Sequence, residues 1–230
     1  MKKPLLHIGS VPLEQKYPKI IAVLDSYFSA DELKRIYSDG ASIAEIRFDL
    51  LPGSIDEKLE YAKLIRLSAP FAILGTLRET AENKTIRNSL IEQIVPFVDG
   101  IDEEVSYPSV AKNLSVAKGK LKVASHHDFE KTPDDAEMGE WVEKCNTVGA
   151  DVVKLAFQVA SIDDLNRIRQ FAQLIKEPAI VIAMGEHGVE SRKKPESFAS
   201  IATYAFTGKQ AIAPGQLSVA KISEYLKACK

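Results

Sequence analysis

Cysteine is scarce: the 230 residues hold only Cys145 and Cys229, far apart. Two isolated thiols provide neither a disulfide framework nor the spacing of a structural metal site, and they suit a reducing compartment. An excess of one charge is missing too. Thirty Lys and Arg are interspersed with 32 Asp and Glu, for a formal net charge of −2. A binder of nucleic-acid backbone needs a basic face, which Lys2-Lys3 and Arg192-Lys193-Lys194 are too short to build. No apolar run approaches the roughly 18 residues of a membrane helix. The opening Met1-Lys2-Lys3-Pro4-Leu5-Leu6 lacks the long apolar region and cleavage site of a secretory leader. No G-x-G-x-x-G follows the first strand-like run, which removes the main support for a dinucleotide fold. These absences leave a soluble cytoplasmic chain, expected to bind neither nucleic acid nor membrane. With no Pro/Ser-rich linker and no low-complexity segment, residues 1–230 read as a single domain.

Short apolar or β-branched runs alternate with longer amphipathic stretches throughout. Strands are expected at Lys19–Asp25, Ile43–Leu51, Phe71–Glu79, Gly100–Val105, Lys122–Phe129, Asp151–Phe157, Ala179–Gly185 and Ser200–Phe206. Helices are expected at Ala30–Ser38 after Ser29, Ile55–Leu67 after Ser54, Lys84–Val95, Asp134–Val148, Ile162–Ile175 after Ser161, and Val219–Ala228 after Ser218. Eight strand–helix units in this length predict an α/β fold, a (β/α)8 TIM barrel. The segment from Leu5 to Tyr17 precedes the first barrel strand and is expected to form a hairpin that closes the barrel bottom.

Barrel enzymes gather their chemistry at the C-terminal ends of strands, and those ends are charged here. They carry Glu45, Arg47 and Asp49 at alternating positions, then Arg78 with Glu82 beyond it, then Asp102-Glu103-Glu104, then His126-His127-Asp128. In a closed barrel such residues either form structural salt bridges around the mouth or build a polar pocket for a small, oxygen-rich anion. Lys154 lies inside the otherwise apolar Asp151–Phe157 run. A buried ammonium needs a partner or gives up its proton, and a neutral amine attacks carbonyl carbon to form a Schiff base. The alternative is a strand-end lysine whose head reaches water. Alternation puts Val152, Lys154 and Ala156 on one face and the bulkier Val153, Leu155 and Phe157 on the other, so Lys154 is expected to point inward.

Of the adjacent histidines 126 and 127 only one can enter the barrel. No histidine–carboxylate spacing completes a metal set around them. A histidine beside a Schiff-base lysine could move the proton on the carbon next to the iminium. Gly185-Glu186-His187-Gly188, with Arg192 beyond, reads either as a lid over an anion or as an ordinary loop. Ala213-Pro214-Gly215-Gln216 brings an amide to the rim.

Taken in order, several segments resemble type I 3-dehydroquinate dehydratases, the Schiff-base dehydratases of the shikimate pathway to chorismate and aromatic amino acids. They are Glu45-Ile46-Arg47-Phe48-Asp49, Thr76-Leu77-Arg78 with Glu82, Ser125–Pro133, Val153-Lys154-Leu155-Ala156, Gly188–Arg192 and Ala213–Gln216. The stretch S-x-H-D-F-x-x-T-P and its spacing to Lys154 carry most of the likeness. The resemblance implies a lyase, a homodimeric (β/α)8 barrel without metal or organic cofactor, converting 3-dehydroquinate to 3-dehydroshikimate by loss of water. It implies Lys154 as the Schiff-base lysine, His127 as the catalytic histidine and Glu82 as the carboxylate paired with it. Glu45, Arg47, Arg78, Arg192 and Gln216 match substrate-binding residues. One departure is Ile212, where relatives often carry serine; the hydroxyl contact is then absent or comes from another group. A class I aldolase of similar fold is the competing reading, weakened by the lack of a glycine-rich phosphate site after strands seven and eight.

Overall fold

Side-chain caps set where several helices begin. At Ser29 the hydroxyl accepts from the Glu32 N–H while the Glu32 carboxylate accepts from the Ser29 N–H, and Ser54 with Glu57 repeats the arrangement. Asp134 and Ser161 cap two later helices from one side only. A computed structural model describes residues 5–208, 211 and 213–228. Ile212 and Cys229 therefore lie outside the described residues.

The chain opens with an antiparallel hairpin of β1 (Leu6–Ile8) and β2 (Val11–Leu13). A nine-stranded parallel sheet follows. Its strands are β3 (Lys19–Leu24), β4 (Ile43–Arg47), β5 (Ala72–Thr76), β6 (Gly100–Glu104), β7 (Leu121–Asp128), β8 (Val152–Gln158), β9 (Ala179–Met184), β10 (Ala202–Phe206) and the short β11 (Leu217–Ser218). The order is β11-β10-β3-β4-β5-β6-β7-β8-β9. The last strand returns to the first edge through the Ala179–Ser200 bridge and the Ile201 N–H bond to Ala179 O at 2.9 Å. The sheet thus curls round as an α/β TIM barrel.

Helices α1 (Ala30–Ser38), α2 (Ile55–Ser68), α3 (Arg87–Ile94), α4 (Val110–Val116), α5 (Asp135–Thr147), α6 (Ile162–Ala172), α7 (Glu190–Lys193) and α8 (Val219–Ala228) connect or follow the strands. Outward strand residues such as Val153, Leu155 and Phe157 join helix residues such as Leu165 and Ile168 in one apolar layer. Inward residues of the strand starts form a second cluster, Ile21, Ile43, Leu74, Val123, Val152 and Ile180. Ile8 and Leu13 of the hairpin belong to that inner cluster, so the hairpin closes the barrel at its lower end.

Some boundaries differ from expectation. The run expected over Ile43–Leu51 leaves the sheet at Arg47, where the N–H groups of Leu50 and Leu51 turn back onto the Arg47 carbonyl. The strand expected to Glu79 ends at Thr76. Helix α4 was not anticipated; neither Ser109 nor a neighbouring acid gives it a side-chain cap. It is instead fastened to the barrel wall by Asn113, which donates to Glu103 at 2.9 Å, while Arg87 of α3 reaches the same carboxylate at 2.6 Å.

Candidate active site

Strand parity builds the site. On β8 the inward set is Val152, Lys154 and Ala156, as the bulk of the opposite face predicts. On β6 the inward pair is Asp102 and Glu104, two residues apart, while Glu103 faces the helices. On β7 Ser125 and His127 point inward. His126 turns out and stacks on Trp141 of α5, centroids 3.5 Å apart. The register aligns Ser125 with Lys154 and His127 with Ala156, so the lysine and the inward histidine stand on adjoining strands.

These residues line a cavity of ≈ 460 Å³ at the C-terminal ends of the strands. Its wall includes Glu45, Arg47, Arg78, Glu104, His127, Lys154, Arg192, Tyr204 and Gln216. All the residues expected from the sequence except Glu82 are therefore brought together. The buried Lys154 is only 4% exposed, and its Nζ donates to Asp102 Oδ2 at 2.7 Å. Asp102 also accepts from Arg78 Nη2 at 2.9 Å and from the Ser125 hydroxyl. Burial alone would raise the Asp102 carboxyl, but Arg78 and Lys154 outweigh it and hold the group well below the usual carboxylate range. The burial of the lysine is thus compensated by a specific carboxylate.

His127 Nδ1 lies 2.7 Å from Glu104 Oε2. Burial opposes ionisation of Glu104, yet bonds to His126 and His127 bring its carboxyl down to about 2. Burial is also the main influence on His127, with Arg78 and Lys154 acting in the same direction. It pushes the imidazole down to about 4 against the lift from Glu104. At neutral pH the pair is an ionised carboxylate and a neutral imidazole. The carboxylate accepts from Nδ1–H, which leaves the lone pair on Nε2.

Glu82 requires a correction. After Arg78 the chain makes a tight polar turn in which Thr80 N donates to Asn83 Oδ1 at 2.9 Å and Asn83 Nδ2 donates to Arg78 O at 2.8 Å. That turn buries Asn83 and leaves Glu82 exposed, away from the cavity. The carboxylate facing the histidine is Glu104. Alternation puts Glu104 on the same inward face as Asp102, but only the pairing of β6 with β7 sets it beside His127.

The other expected residues keep to the wall. Glu45 is buried and accepts from Thr76 Oγ1 at 2.7 Å. Arg47 forms a two-pronged pair with Asp49, Nε–Oδ1 at 3.1 Å and Nη2–Oδ2 at 2.6 Å. The segment after β9, read as lid or loop, folds as a 3₁₀ turn at His187–Val189 followed by α7. Gly188 is required there, because a Cβ would sit 2.3 Å from Ala183 O. At Gly215, with φ +72°, an added Cβ would sit 2.5 Å from Gly185 O, so only glycine lets the segment bearing Gln216 lie this close to the turn. Arg192 is 2% exposed and donates from Nη1 to Ala183 O at 2.9 Å. It has no carboxylate partner among the described residues, and its Nε has no hydrogen-bond partner among them either. Burial pushes its guanidinium down to about 10. A buried cation lining the cavity without an acid of its own is suited to an anionic ligand. Among the described residues no group of three or more His, Cys, Asp or Glu is placed to hold a metal ion. No helix among them is long and apolar enough to cross a membrane.

The chain matches a family model described as type I 3-dehydroquinase over residues 23–230. It is 30% identical to a 3-dehydroquinate dehydratase of Methanococcoides burtonii, across 97% of this chain and 99% of that one. A crystal structure of the 3-dehydroquinate dehydratase from Aquifex aeolicus superposes with a TM-score of 0.80 at 26% identity, covering 91% of this chain and 98% of that one. The type I 3-dehydroquinate dehydratase from Clostridium difficile superposes at 0.89 with 23% identity, over 100% and 98% of the two chains. This last likeness speaks for the fold.

Proposed function

Because the chain belongs to the type I 3-dehydroquinase family, a family of hydro-lyases, we propose that it dehydrates 3-dehydroquinate to 3-dehydroshikimate through a Schiff base on Lys154. The observation that carries this reading is the position of Lys154 and His127 on adjoining strands, both facing one cavity that also holds Arg192, a cation with no carboxylate partner among the described residues.

The chemistry follows from the groups. Lys154 Nζ gives a proton to His127 Nε2 and adds to the C3 ketone, and the imidazolium then gives that proton to the carbinolamine oxygen. The resulting carbinolamine loses its oxygen as water, giving a protonated imine. The positive nitrogen then withdraws electrons from C2. His127 Nε2, whose lone pair the Glu104 bond leaves free, takes the C2 proton, and the C–H electron pair is held as an enamine. Return of that pair forms the C1–C2 double bond and re-forms the iminium as the C1 hydroxyl departs. His127 gives its proton to the leaving oxygen, so water leaves and the imidazole is neutral again. Hydrolysis of the imine releases the conjugated ketone and restores Lys154. Arg192 is placed to pair with the substrate carboxylate, and Glu45, Arg47, Arg78 and Gln216 to hold its hydroxyls. Asp102 fixes the lysine head and balances its positive charge as the ammonium and again as the iminium. The proposal extends to a cytoplasmic homodimer, as expected from the sequence.

Borohydride added with 3-dehydroquinate tests the reading. The expected result is a reduced adduct mapped to Lys154 and, without borohydride, growth of enone absorbance in the ultraviolet. An adduct on any other lysine, or no enone, sinks it.

A further inference from the structure

Tyr204 lies on β10 with its ring 4.0 Å from Lys154 Nζ and its side chain among the residues lining the cavity. It is 5% exposed, and its hydroxyl is fully buried with no hydrogen-bond partner among the described residues. Buried phenolic hydroxyls ordinarily find a partner, since leaving one unmade sacrifices its hydration. The two carboxylates whose charge reaches the phenol take their bonds from other donors. Asp102 accepts from Lys154, Arg78 and Ser125, and Glu45 Oε1 accepts from Thr76. Burial, and then the negative charge of Glu45 and Asp102, pushes the phenol well above its ordinary value, so it stays protonated and able to donate.

The buried polar side-chain atoms without a hydrogen-bond partner among the described residues fall into two groups. Those of Arg87, Trp141 and Arg169 belong to residues outside the cavity wall, whereas Arg192 Nε and the Tyr204 hydroxyl belong to residues of the wall. One is a cation suited to a carboxylate, and the other is a neutral group suited to a hydroxyl. A cyclic hydroxy acid carries both.

We propose that Tyr204 is a substrate-binding residue: its ring faces the Lys154 nitrogen, and its hydroxyl hydrogen-bonds a substrate hydroxyl close to the carbon that Lys154 holds. This rests on the reading of the cavity as the dehydratase site. The ring and the hydroxyl then have separate tasks. The ring offers its negative face to a nitrogen that is positive both as ammonium and as iminium. The hydroxyl is unpaired until the ligand arrives, so its hydrogen bond appears only on binding.

Tyr204→Phe separates the two, because it keeps the ring against Lys154 and deletes only the oxygen. The expected result is a KM for 3-dehydroquinate raised about 3- to 10-fold, the worth of one neutral hydrogen bond, with kcat within about twofold of wild type. The melting temperature of the free variant should be equal to or above that of wild type, because no bond is lost in the empty protein. The thermal shift produced by saturating 3-dehydroshikimate should shrink. An unchanged KM, or a lowered melting temperature of the free variant, overturns the proposal; the latter would mean that the hydroxyl is bonded before ligand arrives. Wild-type turnover in the same assay keeps the two readings apart. A wild type that does not act on 3-dehydroquinate sinks both, whereas an active wild type matched by Tyr204→Phe sinks the role of the tyrosine alone.

Discussion

Strands β4, β7 and β8 carry Ile43, Val123 and Val152 inward at the barrel bottom and Glu45, His127 and Lys154 above, while β5 carries Leu74 below and leads to Arg78 at the rim. Below, the hairpin side chains Ile8 and Leu13 complete an apolar plug whose remaining void is only ≈ 10 Å³. Above, ≈ 460 Å³ stands open and is walled by charge. Burial at the bottom removes apolar surface from water and stabilises the fold at roughly 25 cal/mol per Å². Burial at the top does the reverse, taking ions out of water and recovering that cost only through arranged partners. The contrast indicates where folding stability resides and where it has been given up for chemistry.

Substitutions at the mouth should therefore damage turnover far more than stability. The largest of these effects is expected for His127→Ala. Loss of the proton-transfer group should lower kcat by ~10²–10⁴, while borohydride still traps substrate on Lys154, more slowly. Full loss of trapping would show that the histidine is needed for imine formation itself.

A smaller effect is expected where the bottom-to-top contrast meets the corrected carboxylate. Glu104→Gln removes the charge from a charge-assisted hydrogen bond, worth about 1.5–3 kcal/mol or roughly 10- to 100-fold in turnover. Glu82→Gln, on the exposed turn, should change turnover less than twofold. The reverse ranking would restore Glu82 as the partner of the histidine. The acid limb of kcat/KM sharpens the same test. A base that binds its proton only near pH 4 stays neutral from pH 7 down to about 5, so activity should hold over that range and fall near 4. Because Glu104 raises the imidazole from its buried value, Glu104→Gln should move the limb lower still. A wild-type limb at histidine's ordinary 6.5 would refute the environment described for His127.

How much of this was legible in the sequence follows from which interactions are local. The inward aim of Lys154 could be read because alternation within one strand, and the bulk of Val153, Leu155 and Phe157 opposite, are properties of seven consecutive positions. The helix starts at Ser29, Ser54 and Ser161 could be read because a cap is a three-residue event. The partner of His127 could not be read this way, because it depends on register. Only the pairing of β6 with β7, Glu104 opposite Ser125, sets the carboxylate beside the imidazole. Resemblance supplied Glu82 instead, and the polar turn from Thr80 to Asn83 directs that side chain outward. Tyr204 passed as an ordinary member of an apolar strand. Its significance lies in a hydroxyl with no partner among the described residues, which becomes visible only when its neighbours are in place. The Asp102 clamp on Lys154 is of the same kind: both residues stood out, but 52 positions separate them.

The bottom of the barrel supplies the other half of the comparison and the smallest expected change in activity. Leu74 is 1% exposed, on the strand whose next inward residue, Thr76, already belongs to the site. Leu74→Ala should destabilise the protein by about 2–5 kcal/mol, because the packed plug can collapse only partly into the space left behind. Measured well below the lowered melting temperature, kcat should stay within about twofold of wild type. A truncation at the barrel bottom would then cost stability without chemistry, whereas the mouth substitutions cost chemistry without comparable stability. A Leu74→Ala variant that is stable enough to assay yet loses tenfold in kcat would break the division, by showing that the apolar layer holds the catalytic layer in position rather than merely beneath it.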